Sequence, residues 1–259
     1  DCLYLDIKAP ADFASRNYPV MLWIHGGGNT SGLKDYYQYD KLVARKDVVV
    51  VAVNYRLGAL GWFTHPAIQD LQQGLDKTSN FGLLDIIESL KWVQQNIARF
   101  GGDPSNVTIF GESAGGHNVL ALLASPQAQG LFHKAISQSG YTQEVSARDA
   151  YNKNGANSLI ARGSWQITNK LVDRPQSEYS PQQLRSVLKG IDAIEFMSLY
   201  QTGDLDFDSM PLATVDGLVI PEEGILGALA NPHYAKNIPV IAGATKDEVS
   251  LWLALHRYF

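Results

Sequence analysis

Cysteine is almost absent: Cys2 is the single one among 259 residues. One thiol cannot close an internal disulfide, which excludes a cross-linked scaffold. Positive charge is also short. The 21 Lys and Arg against 26 Asp and Glu leave a net charge of −5, and the basic residues form no run, so no nucleic-acid surface is expected. Long hydrophobic runs are lacking too. A helical membrane span needs roughly 18 or more consecutive apolar residues, whereas the longest apolar blocks, Val48–Val53 and Val20–Ile24, have only the length of a strand. Internal repeats and low-complexity segments are likewise missing. What remains, 45% hydrophobic and 18% charged, is the composition of a globular chain with a sizeable core.

Short apolar runs alternate with helical patterns. Leu3–Ile7 alternates apolar and polar residues as a strand does, while Val20–Ile24, Val48–Val53, Val107–Phe110, Lys134–Ser137 and Pro239–Gly243 suit strands buried on both faces of a parallel sheet. Leu83, Ile86, Ile87, Leu90, Val93 and Ile97 recur at helical spacing until Gly101-Gly102-Asp103-Pro104 stops them, and a second helix is predicted over Ala114–Ala124. This alternation predicts an α/β fold with a mostly parallel, doubly wound sheet and ligands at the carboxyl ends of its strands. Residues 143–235 read differently, with polar helical stretches, an acidic tract at Asp204–Asp208 and the turn Asp216-Gly217. We read 1–259 as a single domain and 143–235 as a helical excursion over the strand ends.

The chemistry concentrates in two glycine motifs. Gly111-Glu112-Ser113-Ala114-Gly115 directly follows the β-branched run Val107–Phe110 and directly precedes a helix. A serine in such a strand-to-helix turn is lifted clear of the sheet, ready to act as a nucleophile, and the next residue, Ala114, offers its N–H to a developing oxyanion. Alone, the pentapeptide would also pass for a Gly-Ser turn. His25-Gly26-Gly27-Gly28 follows the earlier strand Val20–Ile24, and side-chain-free residues at a strand's carboxyl end let backbone N–H groups reach a reacting carbonyl. The same triple glycine could serve as a flexible loop.

Further segments make the chain resemble the type-B carboxylesterase and cholinesterase family of α/β-hydrolases. They are Asp1–Leu5, Trp23–Gly28, Asn54–Gly58, Asn80–Asp85, Phe100–Pro104, Val107–Gly116, Gln138–Gly140, Val215–Gly217 and Thr245–Glu248, in the family's order from end to end. The resemblance implies an α/β-hydrolase fold, incomplete at both termini, and a serine carboxylester hydrolase working through an acyl-enzyme. It implies Ser113 as nucleophile, Gly27, Gly28 and Ala114 as oxyanion donors, and Glu248 as the acid of the triad. Glu112 resembles the carboxylate beside the family's nucleophile, and Ser139 a serine near the triad. Arg56 and Asp85 resemble a structural ion pair. On residue physics alone Glu248 would pass for an exposed acid at a helix start, Glu112 for a buried hydrogen-bonded acid and Ser139 for a strand-end serine. Position 249, usually Gly in the family, is Val here. The expected substrate is a small carboxylic ester, short-chain or aryl, and neither metal nor cofactor is implied.

No histidine fits the base. In this fold the triad runs serine, acid, histidine, and after Glu248 the sequence holds only His256, inside the apolar stretch Ser250–Phe259. His25 belongs to the glycine loop, His117 follows Ser113 by one helical turn, and His65, His133 and His233 sit in turn-like, exposed contexts. The family carries its base on a loop after one further strand. The resemblance therefore implies that the chain is the central part of a longer protein, with its catalytic histidine beyond Phe259, and that the chain alone is nearly inactive. The alternative is a cholinesterase-like adhesion or binding protein without catalysis, or an inactive truncated product. Such binding relatives typically replace the nucleophile, whereas Ser113, the glycine loop and Glu248 are all retained here.

Overall fold

The computed structural model describes residues 3–157, 162–200, 213–248 and 250 of the chain. Cys2, the acidic tract 204–208, Val249 and His256 lie outside the described residues. The strands are β1 (Leu5–Lys8), β2 (Tyr18–Ile24), β3 (Val49–Val53), β4 (Gly102–Glu112), β5 (Lys134–Gln138), β6 (Val145–Ser146), β7 (Thr214–Val215) and β8 (Val240–Gly243). Six of them form one sheet in the order β1-β3-β2-β4-β5-β8, and β6 and β7 pair separately. All neighbours in the large sheet are parallel except β1, which runs antiparallel to β3.

The helices follow the predicted alternation. α1 (Asp40–Lys46) joins β2 to β3. Then α2 (Gly58–Trp62), α3 (Pro66–Gln69) and α4 (Phe81–Asn96) lead to β4, and α5 (Ala114–Ala124) leads to β5. Within the long connection lie α6 (Ala147–Tyr151), α7 (Ser164–Asn169), α8 (Pro181–Gly190), α9 (Ala193–Ser198) and α10 (Gly224–Ala230), the last just before β8. β1 starts at Leu5, later than the alternation suggested, because the ladder begins at the Leu5–Val53 pair while Leu3 and Tyr4 stay exposed. β4 starts earlier, at Gly102, where it pairs with Tyr18 across a register shift.

Alternation along the strands sorts side chains to two faces. Val20, Leu22 and Ile24 of β2, Val49, Val51 and Val53 of β3, and Val107 and Ile109 of β4 point to the side covered by α4 and α5, where Ile86, Leu90, Val93, Val119 and Leu122 meet them. The opposite face carries Trp23, Val50, Ala52 and Phe110 under Val43 of α1. Helices thus cover both faces, which is why the central strands read as continuous apolar runs. Each fully buried side chain of this kind contributes roughly 2 kcal/mol of transfer free energy. A third cluster unites Ala59 and Phe63 with Ile167, Leu188 and Phe196, seating the helices of the long connection on α2 and its flank.

The chain leaves β2 for β3 on one side, then crosses back to lay β4 on the other. The switch point therefore falls between β2 and β4, and ligand sites open at the carboxyl ends of such strands. Register aligns those ends: Ile24 pairs with Gly111, Glu112 with Gln138, and Gln138 with Gly243.

Asp216 ties the return of the long connection to the start of α4. One carboxylate oxygen accepts the backbone N–H groups of Leu218, Val219 and Ile220 at 3.0, 2.9 and 3.1 Å. The other accepts from the Thr78 hydroxyl and from Asn80 Nδ2 at 2.9 Å. Removing it strands several partly buried donors, so Asp216→Ala is expected to destabilise the fold by about 3 kcal/mol. The urea midpoint checks this, and an unchanged midpoint would show that the anchor is dispensable.

Candidate active site

Ser113 sits between β4 and α5 with φ 57° and ψ −121°, a backbone conformation that side chains rarely adopt. It is over-determined on both sides. Its N–H donates to the Gln138 carbonyl at 2.9 Å, and its carbonyl accepts the His117 N–H at 2.9 Å. The turn is possible because Gly111 and Gly115 have no side chains. A Cβ at Gly115 would collide with the Ile24 carbonyl oxygen, and one at Gly111 would meet the Gly115 backbone. Ala114, fully buried, opens α5, so its N–H lies in the first helical turn, where no intrahelical acceptor exists.

The glycine loop lies against this turn. A Cβ on Gly26 would stand 2.7 Å from the Glu112 carbonyl and 3.2 Å from Ser113 Cβ. Gly27 and Gly28 follow with φ 107° and 64°, the left-handed region that glycine enters freely. The register of β2 and β4 thus brings Gly27, Gly28, Ala114 and Ser113 to one end of the sheet.

The two carboxylates come from strands on either side of β5, Glu112 at the end of β4 and Glu248 after β8. Glu248 Oε2 accepts the Thr245 backbone N–H at 2.7 Å and also the Thr245 hydroxyl. Those Thr245 bonds, with a hydrogen bond from Ser139, hold the Glu248 carboxyl below its ordinary value. Ser139 is itself in the left-handed region at φ 50°, and its N–H donates to the Gly243 carbonyl at 2.7 Å, joining the end of β5 to the end of β8. Partial desolvation, and then the negative charge on Glu248, push the Glu112 carboxyl up. Glu112 is exposed, which corrects the reading of a buried, hydrogen-bonded acid. Arg56 and Asp85 form a bidentate pair at 2.8 and 2.7 Å, with the Arg56 backbone N–H also on Asp85.

The described histidines are engaged elsewhere. His25 Nδ1 donates to the Gly26 carbonyl at 2.8 Å, and its ring stacks on Tyr55. His117 Nδ1 donates to the Tyr141 carbonyl at 2.8 Å, and its ring stacks on Tyr141 at 4.5 Å. His65 corrects the expectation of an exposed turn residue. It is 1% exposed, because its Nδ1 caps the Ala67 N–H at the start of α3 while Nε2 faces Gln176 Oε1 at 3.2 Å. Sequence reading also missed Thr245, Asn29 and Asn118. The spacing Thr-x-x-Glu is a capping-box signal that could have found Thr245, but no local signal marks the pairing of Asn29 with Asn118.

A mostly parallel sheet of this strand order, with a strained serine turn between strand and helix beside a glycine loop, defines an α/β-hydrolase fold. The chain belongs to the carboxylesterase family, whose model matches residues 1–257. It is 38% identical over 250 residues to the para-nitrobenzyl esterase of Bacillus subtilis, covering 96% of this chain and 47% of that protein. It is 40% identical over 262 residues to the liver carboxylesterase of Sus scrofa, covering 98% of this chain and 43% of that protein. A solved PNB esterase superposes with a TM-score of 0.78 at 36% identity, covering 97% of this chain and 50% of that structure. The chain therefore spans about half the length of the relatives it matches. Among the described residues no helix is long and apolar enough to cross a membrane.

Burial pushes the His117 imidazole down from its ordinary 6.5 to about 4, and lowers His25 and His65 in the same direction. A histidine held neutral in the fold but protonated when unfolded contributes stability that is complete above the unfolded value and is lost as pH falls through the window down to the folded one. His117 alone is expected to withdraw about 3 kcal/mol between its ordinary 6.5 and about 4. Urea denaturation at neutral and mildly acidic pH checks this: His117→Gln should lose less stability on acidification than the wild type, and an equal loss would clear His117 of the effect.

Proposed function

We propose that the chain carries the nucleophile, the oxyanion donors and the acid of a serine carboxylester hydrolase. The observation that carries this reading is Ser113 in its strained turn with Gly26 packed against it, so that nucleophile and glycine loop share one end of the sheet. Ser113 Oγ attacks the carbonyl carbon of an ester while a histidine takes its proton. Negative charge develops on the carbonyl oxygen, where the N–H groups of Gly27, Gly28 and Ala114 stabilise it; losing one donor of this kind slows such reactions by about 10²–10³. Collapse of the tetrahedral intermediate expels the alcohol, which leaves with the proton held by the histidine. Water then attacks the acyl-enzyme by the same route and releases the acid.

Glu248 orients that histidine and stabilises its cation, and Thr245 and Ser139 keep the carboxylate ionised. Glu112 adds negative potential beside the nucleophile. The base itself is assigned outside the described residues: His25, His65 and His117 are buried in local hydrogen bonds, His133 accepts the Val107 N–H just before β5, and His233 lies in the turn after α10 against Tyr234. The substrate class is a small alkyl or aryl carboxylic ester, in keeping with relatives named para-nitrobenzyl esterase and liver carboxylesterase.

Fluorophosphonate labelling and p-nitrophenyl ester turnover in the full-length gene product test the assignment. Ser113→Ala is expected to abolish labelling and to lower turnover by about 10⁴ or more. Glu248→Gln should keep Ser113 in place yet slow turnover by about 10⁴. The 259-residue chain by itself should retain only a small fraction of full-length turnover. Labelling of Ser113→Ala at the wild-type rate would sink the assignment.

A further inference from the structure

Two constraints converge on the glycine loop. The first acts on its middle peptide. The Gly27 carbonyl accepts from the Thr30 and Ser31 backbone N–H groups at 3.1 and 3.0 Å, and from their hydroxyls at 3.2 and 3.1 Å. In a trans peptide the C=O and the following N–H point in opposite directions. Four donors gathered on the Gly27 oxygen therefore turn the Gly28 N–H to the other side. The loop's own sequence sets the direction of that donor.

The second constraint ties the loop to the helix behind the nucleophile. Asn29, with φ 58° and 6% exposed, accepts on Oδ1 from Asn118 Nδ2 at 2.9 Å. The Tyr55 hydroxyl donates to the His25 carbonyl at 2.7 Å and stands 3.3 Å from the same Asn29 oxygen. The Asn29 carbonyl accepts the Gly58 N–H at 2.7 Å. Asn118 is fully buried and projects from α5, the helix that begins immediately after Ser113. The path from loop to nucleophile is thus closed by a buried side-chain bridge, where a hydrogen bond is strong and its loss leaves a buried amide unpaired.

We infer that Asn118 is a positioning residue: through Asn29 it locks the Gly27–Gly28 amides to the helix that carries the nucleophile turn, so that oxyanion donors and Ser113 move as one unit. The lock serves the transition state rather than the bound ester, because it governs where the donors point when charge develops. This inference rests on the esterase reading above.

The test uses the full-length gene product with a p-nitrophenyl ester, together with hydrogen exchange at the Thr30 and Ser31 amides. Asn118→Ala should lower kcat by between about tenfold and a hundredfold, with KM within about threefold of wild type. Exchange at Thr30 and Ser31 should quicken by about tenfold or more. Asn29→Gly, which keeps the positive φ without strain, should give a similar loss of kcat, and the double variant should lose no more than either single one. Gln94→Ala, which removes a remote structural amide bonded to the Pro104 and Leu131 carbonyls, should leave kcat unchanged. If Asn118→Ala does not fold, the isosteric Asn118→Leu carries the same comparison.

Wild-type kcat in the Asn118 variants, or losses that multiply in the double variant, would overturn the lock. Wild-type protein without Ser113-dependent turnover would instead overturn the esterase reading, and the exchange rates would then judge the lock by themselves.

Discussion

Helix α5 approaches strand β2 so closely that only a glycine fits between them. The position of Gly115 leaves no room for a Cβ beside the Ile24 carbonyl, and Gly111 faces the Gly115 backbone with the same demand. Everything at the carboxyl end of the sheet depends on that contact. It forces the chain to turn sharply after β4, which puts Ser113 into a positive-φ conformation whose strain the surrounding hydrogen bonds must hold. It also brings the residue after Ile24, and hence the whole glycine loop, level with the serine. A single methyl group at position 115 would push helix and strand apart and separate the two halves of the site.

The electrostatic arrangement follows from which strand ends are neighbours. Glu112 ends β4, Ser139 follows β5 and Glu248 follows β8, three adjacent strands in the sheet. Two carboxyl groups so placed are shifted in opposite directions by their different surroundings. Glu248 is kept ionised by hydrogen bonds from Thr245 and Ser139, while Glu112 is pushed up by its partial desolvation and by the charge on Glu248. Environments that separate two acids in this manner suit one of them to hold a cation and the other to tune the field. The buried histidines stand apart from this division. Their Nδ1 atoms are committed to backbone groups and burial favours their neutral form, so they serve the fold.

Much of the architecture was legible because local chemistry and tertiary position agree. The apolar runs at β2 and β3 announced strands covered on both faces, the helical spacing from Leu83 to Ile97 announced α4, and Ala114–Ala124 was read with the bounds it has. Strand ends were less legible, since pairing and not composition decides them. Leu3 and Tyr4 have strand chemistry but lie before the first ladder pair, Leu5–Val53, and Gly102, which lacks strand chemistry, is captured by Tyr18 of β2 ahead of a register shift. His65 shows the same limit for a side chain: beside a proline in a turn-like stretch it reads as exposed, yet tertiary packing buries it as a helix cap.

Residue order alone carries the two glycine motifs, the strand before each and the helix after the serine, because backbone freedom and β-branching act locally. It also determined that the chain has a serine, glycines and a carboxylate at the spacings of the carboxylesterase family. Only the tertiary structure decided that the loop and the turn meet, since that depends on β4 crossing back to the far side of β2. It alone decided that Thr245 and Ser139 hold Glu248, and that Asn29 and Asn118, separated by 89 positions in the chain, join in the core. Long-range hydrogen bonds leave no periodic trace in a sequence, because each partner is a common polar residue whose meaning appears only once the sheet has set the distance between them.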